Sequence, residues 1–405
     1  METRWVFCVF AAILFAGPIV VHAQQTRADA LAAQRAEKAQ HVQSYQPKGI
    51  EKVALYIQDH RIIERLTIAD GWFPLIGRLT TGAGLAGGAG YRKHLFNERL
   101  FGSVVGAIST KAYKLFHANL RFPTMWDRRI ELWTTFRYHD FPQEDFFGVG
   151  SGSLEANRTS YAIESNDVNV RAVVNAPHWL QFGGEVGRFS PTVGHGTDSR
   201  FPSTEELFTD AQAPGLAEQP PFLYKNLFVE FDTRDQPGNA RSGTFARGLY
   251  GFWDDRTFHA YSFHRFDGTF EQFIPIFDKK RVFAFHFGVT YTDNEHGSRT
   301  PFYLLPYIGG ANTLRGFRDF RFADQNALVM NAEYRWEAFA GLDMALFFDA
   351  GEVRADWEDI GVSDLKTSYG LGFRFNTYKN VFLRFDIGTG GHEGTRLFLK
   401  FGPIF

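Results

Sequence analysis

From Gly71 to the C-terminus the chain is written in short runs that alternate apolar and polar residues, and this period of two limits the fold more than any other feature. Successive side chains of an extended strand point to opposite faces, so alternation commits a run to a strand with one apolar and one polar face. The last five runs are the cleanest. In 326–338, Leu328, Met330, Ala332, Tyr334 and Trp336 share one face, and Asn331, Glu333, Arg335 and Glu337 the other. In 343–353, Met344, Leu346, Phe348 and Ala350 oppose Asp343, Phe347 and Asp349. In 367–376, Tyr369, Leu371, Phe373 and Phe375 oppose Gly370, Gly372 and Arg374. In 381–388, Val381, Leu383, Phe385 and Ile387 oppose Arg384 and Asp386; in 395–405, Leu397, Leu399 and Phe401 oppose Arg396 and Lys400. Eleven earlier runs lie near 74–81, 84–93, 99–110, 112–122, 129–140, 159–174, 178–189, 222–233, 243–254, 258–276 and 281–292. Turn signals separate them, among them GAG at 82–84, APH at 176–178, DQPG at 235–238 and DKK at 278–280.

A soluble sheet with one buried face also alternates. Composition separates the two cases. The chain has 44 Phe and 17% aromatic residues, yet only 44% hydrophobic residues and a mean hydropathy of −0.24. Its polar faces carry charges of both signs in strand after strand. Lipid outside and a water-filled, charge-lined lumen inside account for both properties. The 335 residues from 71 to 405, shared among sixteen runs, allow about 21 residues for each strand and its connection, which leaves about ten to cross a membrane at a tilt. The expected fold is therefore all-β: a sixteen-stranded antiparallel transmembrane barrel with a short N-terminal helix and one extracellular loop folded inward. Connections after odd-numbered runs are long (140–158, 190–221, 292–325) and those after even-numbered runs short, which puts the long loops outside if the N-terminus is periplasmic.

The first 23 residues read as a signal peptide. Arg4 supplies the positive start, Trp5 to Val21 the apolar run, and Val21-His22-Ala23 a small-x-small cleavage site. Gly17-Pro18 would break a spanning helix there. Cys8, the only cysteine, leaves with the signal, which excludes disulfides and thiolate metal sites from the mature chain. Residues 24–70 form a periplasmic lead. Within it 49–66 has an imperfect amphipathic face of Val53, Ala54, Ile57, Ile62, Ile63 and Leu66, fitting a linker helix or a helix at the barrel mouth. Residues 71–405 are the barrel. A net charge of −2 points to no nucleic-acid partner. Past residue 23 no apolar run is long enough for a spanning helix, so an exported chain of this kind is soluble or a closed barrel.

The long connection before 326 holds the stretch PYIGGANTLRGFRDFRF, residues 306–322. An arginine drawn into a barrel needs carboxylates to fill its planar fork of donors. Glu333 and Asp349, on the polar faces of adjacent runs, are placed to do so for Arg315. Gly309, Gly310 and Gly316 allow sharp turns and a close pass along the wall. A solvated surface loop with an incidental Arg-Gly pair fits the residues equally well. Other motifs point nowhere. GxGxxG at 82–87 lacks a following helix. Asp232, Arg234 and Asp235 read as a turn cap rather than an acid pair. The histidines have no metal-binding spacing on a helix, and no GxSxG elbow occurs. His259, His264 and His286 lie on strand-like runs with Asp267 nearby, but no nucleophile accompanies them, so an enzyme and a cofactor are not expected.

The segment IGGANTLRGF at 308–317, the run holding Glu333, FFDAG at 347–351 and YGLGFRF at 369–375 together resemble the C-terminal barrel of the BamA/TamA outer-membrane assembly superfamily, also called the bacterial surface antigen family. FDTRD at 231–235 with Gly243, and FFGVG at 146–150, add weaker likeness, and the whole covers roughly 71–405. The resemblance implies that Arg315-Gly316-Phe317 lies inside the barrel, with Arg315 against Glu333 and Asp349 of the twelfth and thirteenth strands. Leu314 stands where the family usually has Val or Ile. It also implies a weak seam between first and last strands, here with a glycine-rich start (Gly82, Gly84, Gly87, Gly88, Gly90) and an end where Gly402 and Pro403 interrupt the ladder and Phe405 carries the C-terminal signal; an end on Phe405 also fits a last strand that closes the sheet. Members usually carry periplasmic POTRA repeats. The 47 residues from 24 to 70 are too few for one, so the chain reads as a reduced member. The implied function is insertion or translocation of polypeptide or lipid substrates at the bacterial outer membrane. Its partners would be membrane lipids, an unfolded outer-membrane protein or lipid as substrate, and a periplasmic protein docking through 24–66. The alternatives are a passive or loop-gated channel and a structural surface antigen.

Overall fold

Alternation carries through into a single antiparallel sheet. The structure, a computed structural model, describes residues 70–405 apart from 78, 81, 126–128, 378 and 379. The segments expected as signal peptide and lead, with the helix expected at 49–66, lie almost wholly outside the described residues. Sixteen strands pair in chain order: β1 (Gly71–Gly77), β2 (Ala86–Leu95), β3 (Leu100–Ser109), β4 (Lys114–Met125), β5 (Ile130–Phe146), β6 (Thr159–Asn175), β7 (Leu180–His195), β8 (Phe222–Asp232), β9 (Gly243–Asp255), β10 (Phe263–Ile276), β11 (Arg281–Asn294) and, after two short strands outside this sheet, β12 (Tyr307–Ile308) and β13 (Phe322–Ala323), β14 (Asn326–Phe339), β15 (Leu342–Arg354), β16 (Lys366–Asn376), β17 (Val381–Gly390) and β18 (Thr395–Phe401). Each of the sixteen expected runs is one of these strands. Among the described residues no pairing joins β1 to β18, so the barrel is nearly closed with one unsealed seam. At seven residues each, these two are the shortest of the sixteen. The two edges still lie close across the gap: a Cβ on Gly77 would lie 3.3 Å from the Phe401 ring.

The faces divide as the alternation requires. On β14, Asn331, Glu333 and Arg335 are buried inward while Met330, Ala332, Tyr334 and Trp336 are only half-buried on the outside. Leu346 and Phe348 of β15, Leu227 and Val229 of β8, and Phe266 and Phe270 of β10 stand exposed on the outer face, where lipid would cover them. Long connections (147–158, 196–221, 295–325 and 355–365) gather at one end and short ones at the other, the arrangement of outer-membrane barrels with extracellular loops and periplasmic turns.

Several expected boundaries move: the runs expected at 129–140 and 178–189 extend six residues further, to Phe146 and His195, and three other ends shift as well. The run expected from 258 starts at Phe263, because Asp255 caps a turn, accepting hydrogen bonds from the amides of Thr257 (2.8 Å), Phe258 (3.0 Å) and Ala260 (3.1 Å). The first strand begins at Gly71 and ends at Gly77 rather than running near 74–81. The last run does not reach Phe405 and does not close the sheet. Strand β18 stops at Phe401, Gly402 takes φ +85°, and Pro403 has no N–H to offer a ladder. Phe405 instead packs with the buried Phe273, Val282 and Ala284, its ring stacked on His286 at 5.3 Å. The Asp232–Arg234–Asp235 group caps the β8–β9 turn. Arg234 pairs with Asp232 and Glu271, both at 2.8 Å, and Asp235 accepts from the amides of Gln236 (3.0 Å), Arg241 (3.0 Å) and Ser242 (3.2 Å).

Candidate functional site

The connection between β11 and β14 folds into the barrel as a hairpin. A two-residue ribbon, β12 (Tyr307–Ile308) with β13 (Phe322–Ala323), forms its stem. Ile308, Leu314, Phe317 and Phe322 of the hairpin pack on Ala327, Val329 and Val353 of β14 and β15, giving the loop an apolar footing on the inner wall. Gly309 and Gly310 turn it, with φ of +116° and +91°; a Cβ on Gly310 would strike Asp319 Oδ1 at 1.7 Å. At Gly316 the hairpin touches the wall backbone. A Cβ there would come within 2.4 Å of the Gly390 amide nitrogen, and one on Gly388 within 2.4 Å of the Arg315 carbonyl oxygen. Glycine on both sides of the contact lets loop and wall meet.

That contact carries Arg315 into a fully buried ion cluster. Its Nε (3.0 Å) and Nη2 (2.6 Å) donate to Asp349, and so does its own backbone amide (3.0 Å). Its Nη1 donates to Glu333, and the guanidinium lies 3.5 Å above the Phe347 ring. The structure thus brings Arg315, Glu333 and Asp349 together. Asp349 is held further by Asn331 (2.8 Å) and Ser368 (3.0 Å), and Asn331 also donates to the Thr313 carbonyl at 2.6 Å.

Four charged residues beyond the expected set complete the cluster. Arg374 of β16 bridges Glu333 (2.8 Å) and Asp386 (2.6 Å), in space left open by Gly372. Arg335 pairs with Glu333 at 2.6 Å, and Arg384 lies 3.3 Å from Asp386 while donating to Asn312 of the loop at 2.8 Å. Four guanidiniums and three carboxylates are therefore packed together with at most 6% of any one exposed. All four had been visible as polar-face residues. What alternation does not show is which polar faces meet across the lumen, because that depends on strand stagger. Arg335 also carries the Phe405 ring at 5.1 Å, so the C-terminus touches the same cluster.

Nearer the extracellular end the hairpin reaches the last strand. Arg318 donates to Glu155 of the β5–β6 loop at 3.1 Å, and Arg396 of β18 donates to the same oxygen at 3.2 Å. Burial would raise the Glu155 carboxyl, but hydrogen bonding and charge from Arg318, with Arg396 behind it, hold it below its ordinary value. Arg321 ties Ser153 (2.9 Å) to Glu393 of the β17–β18 turn. These contacts hold β18 to the loops from inside. The histidine and aspartate set does not gather: His264 pairs with Glu295 at 3.4 Å, His286 with Asn331 at 3.0 Å, and Asp267 accepts from Thr290 at 2.8 Å. Among the described residues no cluster of three metal-ligating side chains occurs.

A nearly closed barrel of sixteen strands with a lumen hairpin and one unsealed seam defines an outer-membrane β-barrel. Residues 226–395 match the Omp85 superfamily domain, in agreement with the resemblance read from its motifs. Among solved structures, BamA from Haemophilus ducreyi lacking POTRA domains 1–3 superposes with a TM-score of 0.59 at 14% identity, covering 88% of this chain and 79% of that one. CdiB from Escherichia coli gives 0.54 at 11% identity over 81% of this chain, and CdiB from Acinetobacter baumannii 0.51 at 13% over 82%. This chain spans 61% and 59% of those two proteins. At such identities the likeness is one of fold. No curated protein matches the sequence significantly.

Proposed function

We propose that this barrel inserts or translocates polypeptide or lipid substrates at the seam between β1 and β18, with the Arg315 hairpin as the brace that keeps the last strands in place while the seam opens. The observation that carries this reading is the way β18 is held. It has no ladder to β1, yet it is secured from within through Arg396 and Glu155 to the hairpin. A strand braced on one side and unpaired on the other can part from its neighbour without unravelling the sheet. In the same reading residues 1–23 are the export signal, 24–70 a periplasmic lead through which a partner delivers substrate, and 71–405 the barrel. Gly402 and Phe405 end the seam strand.

The test is reconstitution of the protein in liposomes with an unfolded outer-membrane barrel as substrate, beside the Arg315→Ala variant. Faster insertion with the wild type, lost in the variant, is the expected result. Ion conductance without faster insertion would overturn the proposal and make the hairpin a plug in a channel. Neither activity would leave a structural barrel.

A further inference from the structure

The outer wall opposite the seam carries two cations that no described residue neutralises. Strands β7 and β8 are the seventh and eighth of sixteen in the sheet, half-way round from the β1–β18 gap. Their outward rungs rise from the periplasmic end as Leu180–Phe231, Phe182–Val229, Gly184–Leu227, Val186–Lys225 and Arg188–Leu223. The lower rungs are apolar, with Phe182, Leu227 and Val229 exposed for lipid, and Val186 is exposed beside Lys225. Lys225 and Arg188 then appear on successive rungs, on adjacent strands and the same face, both exposed. Eight residues separate Leu180 from Arg188, roughly 26 Å of strand and about 20 Å across a membrane at the usual tilt. The two cations therefore sit at the upper edge of the hydrocarbon band, on the side of the long loops. Tyr250 and Phe252 of β9, beside Leu227 and Lys225, supply the aromatic rim found at such an interface.

Their lack of partners sets them apart from the other cations on the strand ends of this rim. Lys114 is paired with Asp140 at 2.7 Å, Arg256 holds Asp254 at 2.7 Å, and His264 meets Glu295 at 3.4 Å. Among the described residues neither Arg188 nor Lys225 has a hydrogen bond or an ion pair. A cation at a lipid boundary with no protein anion is neutralised by an anion from the lipid itself.

We infer that Arg188 and Lys225 form a binding site for the phosphate of a phosphorylated outer-leaflet lipid, whose acyl chains lie down the apolar strip of Val186, Leu227, Phe182 and Val229. A phosphomonoester suits the pair, because it carries close to two negative charges and three acceptor oxygens. The arginine fork takes two of those oxygens and the flexible lysine reaches the third from the next strand. A zwitterionic headgroup brings its own cation and gains less. This site is independent of the seam reading, since it lies on the opposite wall.

The test is native mass spectrometry of the full chain in detergent with added lipid A, a bisphosphorylated and acylated glucosamine disaccharide. Dephosphorylated lipid A and phosphatidylcholine serve as comparisons. The wild type should retain one lipid A. The double variant R188Q/K225Q should bind it about thirtyfold more weakly, the factor for losing two basic contacts with an anionic lipid surface. Lys114→Gln, a change to a paired cation on the same rim, should retain it. Equal retention by R188Q/K225Q and wild type would overturn the site, as would equal binding of the dephosphorylated lipid or an equal loss in Lys114→Gln. Both charged positions face outward, so an unchanged melting temperature of the double variant shows that the fold is intact.

Discussion

Arg315 is the residue on which the lumen depends most. Its guanidinium satisfies Glu333 and Asp349 where none of the three meets solvent. Truncation to alanine leaves two carboxylates buried beside fewer cations, and breaking such a pair costs about 3–5 kcal/mol. Arg315→Ala should therefore melt at lower temperature in detergent and expose 306–322 to protease; an unchanged melt with an unchanged digest would end the brace model. Gly316→Ala tests the other half of the contact. Its added methyl meets the backbone of β17 at 2.4 Å and lifts the hairpin with every charge still present, so loop protection should fall with no charge removed. The trio of Arg315, Glu333 and Asp349 was legible because an Arg-Gly pair in a long loop and carboxylates on neighbouring polar faces are sequence features. Arg335, Arg374, Arg384 and Asp386 were legible only as polar residues, because stagger decides that Arg374 lies between Glu333 and Asp386.

At the scale of the element, β18 behaves as a strand fastened at its two ends. At the extracellular end Glu155 receives both Arg318 and Arg396. Its carboxyl is held below the ordinary value, so the latch is present above that value and is lost as pH falls through the lowered one. Glu155→Gln should raise hydrogen exchange of the β18 amides around neutral pH, whereas the wild type should show the same rise only in acid. A variant with the wild-type exchange pattern at both pH values would remove the latch. At the periplasmic end Phe405 turns inward onto Phe273 and Arg335. The sequence ran this strand to the last residue, because Leu397, Leu399 and Phe401 alternate cleanly, although Gly402 and Pro403 already marked a break in its ladder. Gly402 and Pro403 were the available signal, and the apolar pocket that receives Phe405 comes from distant strands.

For the whole molecule the decisive feature is a sheet that curls round without sealing. Gly77→Cys combined with Phe401→Cys, bridged by a short bifunctional maleimide, would lock the seam in a chain whose natural cysteine is Cys8 alone. Insertion activity should stop on bridging while melting temperature rises; full activity in the bridged protein would take the seam out of the mechanism. The two seam strands have seven residues each where their neighbours have ten, so the gap is built from short ladders as well as from glycine.

By itself the sequence determined the strand count, the inward and outward faces and the end at which the long loops gather, because the period of two and the spacing of turns are local properties that lipid and water enforce on every strand alike. It offered Arg315, Glu333 and Asp349 as partners, but a solvated surface loop fitted the same residues equally well. The tertiary structure alone decided that four arginines share three carboxylates, that Glu155 links the hairpin to the last strand, and that the C-terminal phenylalanine enters the lumen. Those contacts join residues up to 241 positions apart, and curvature and stagger of the whole sheet set them. No window of sequence contains that information.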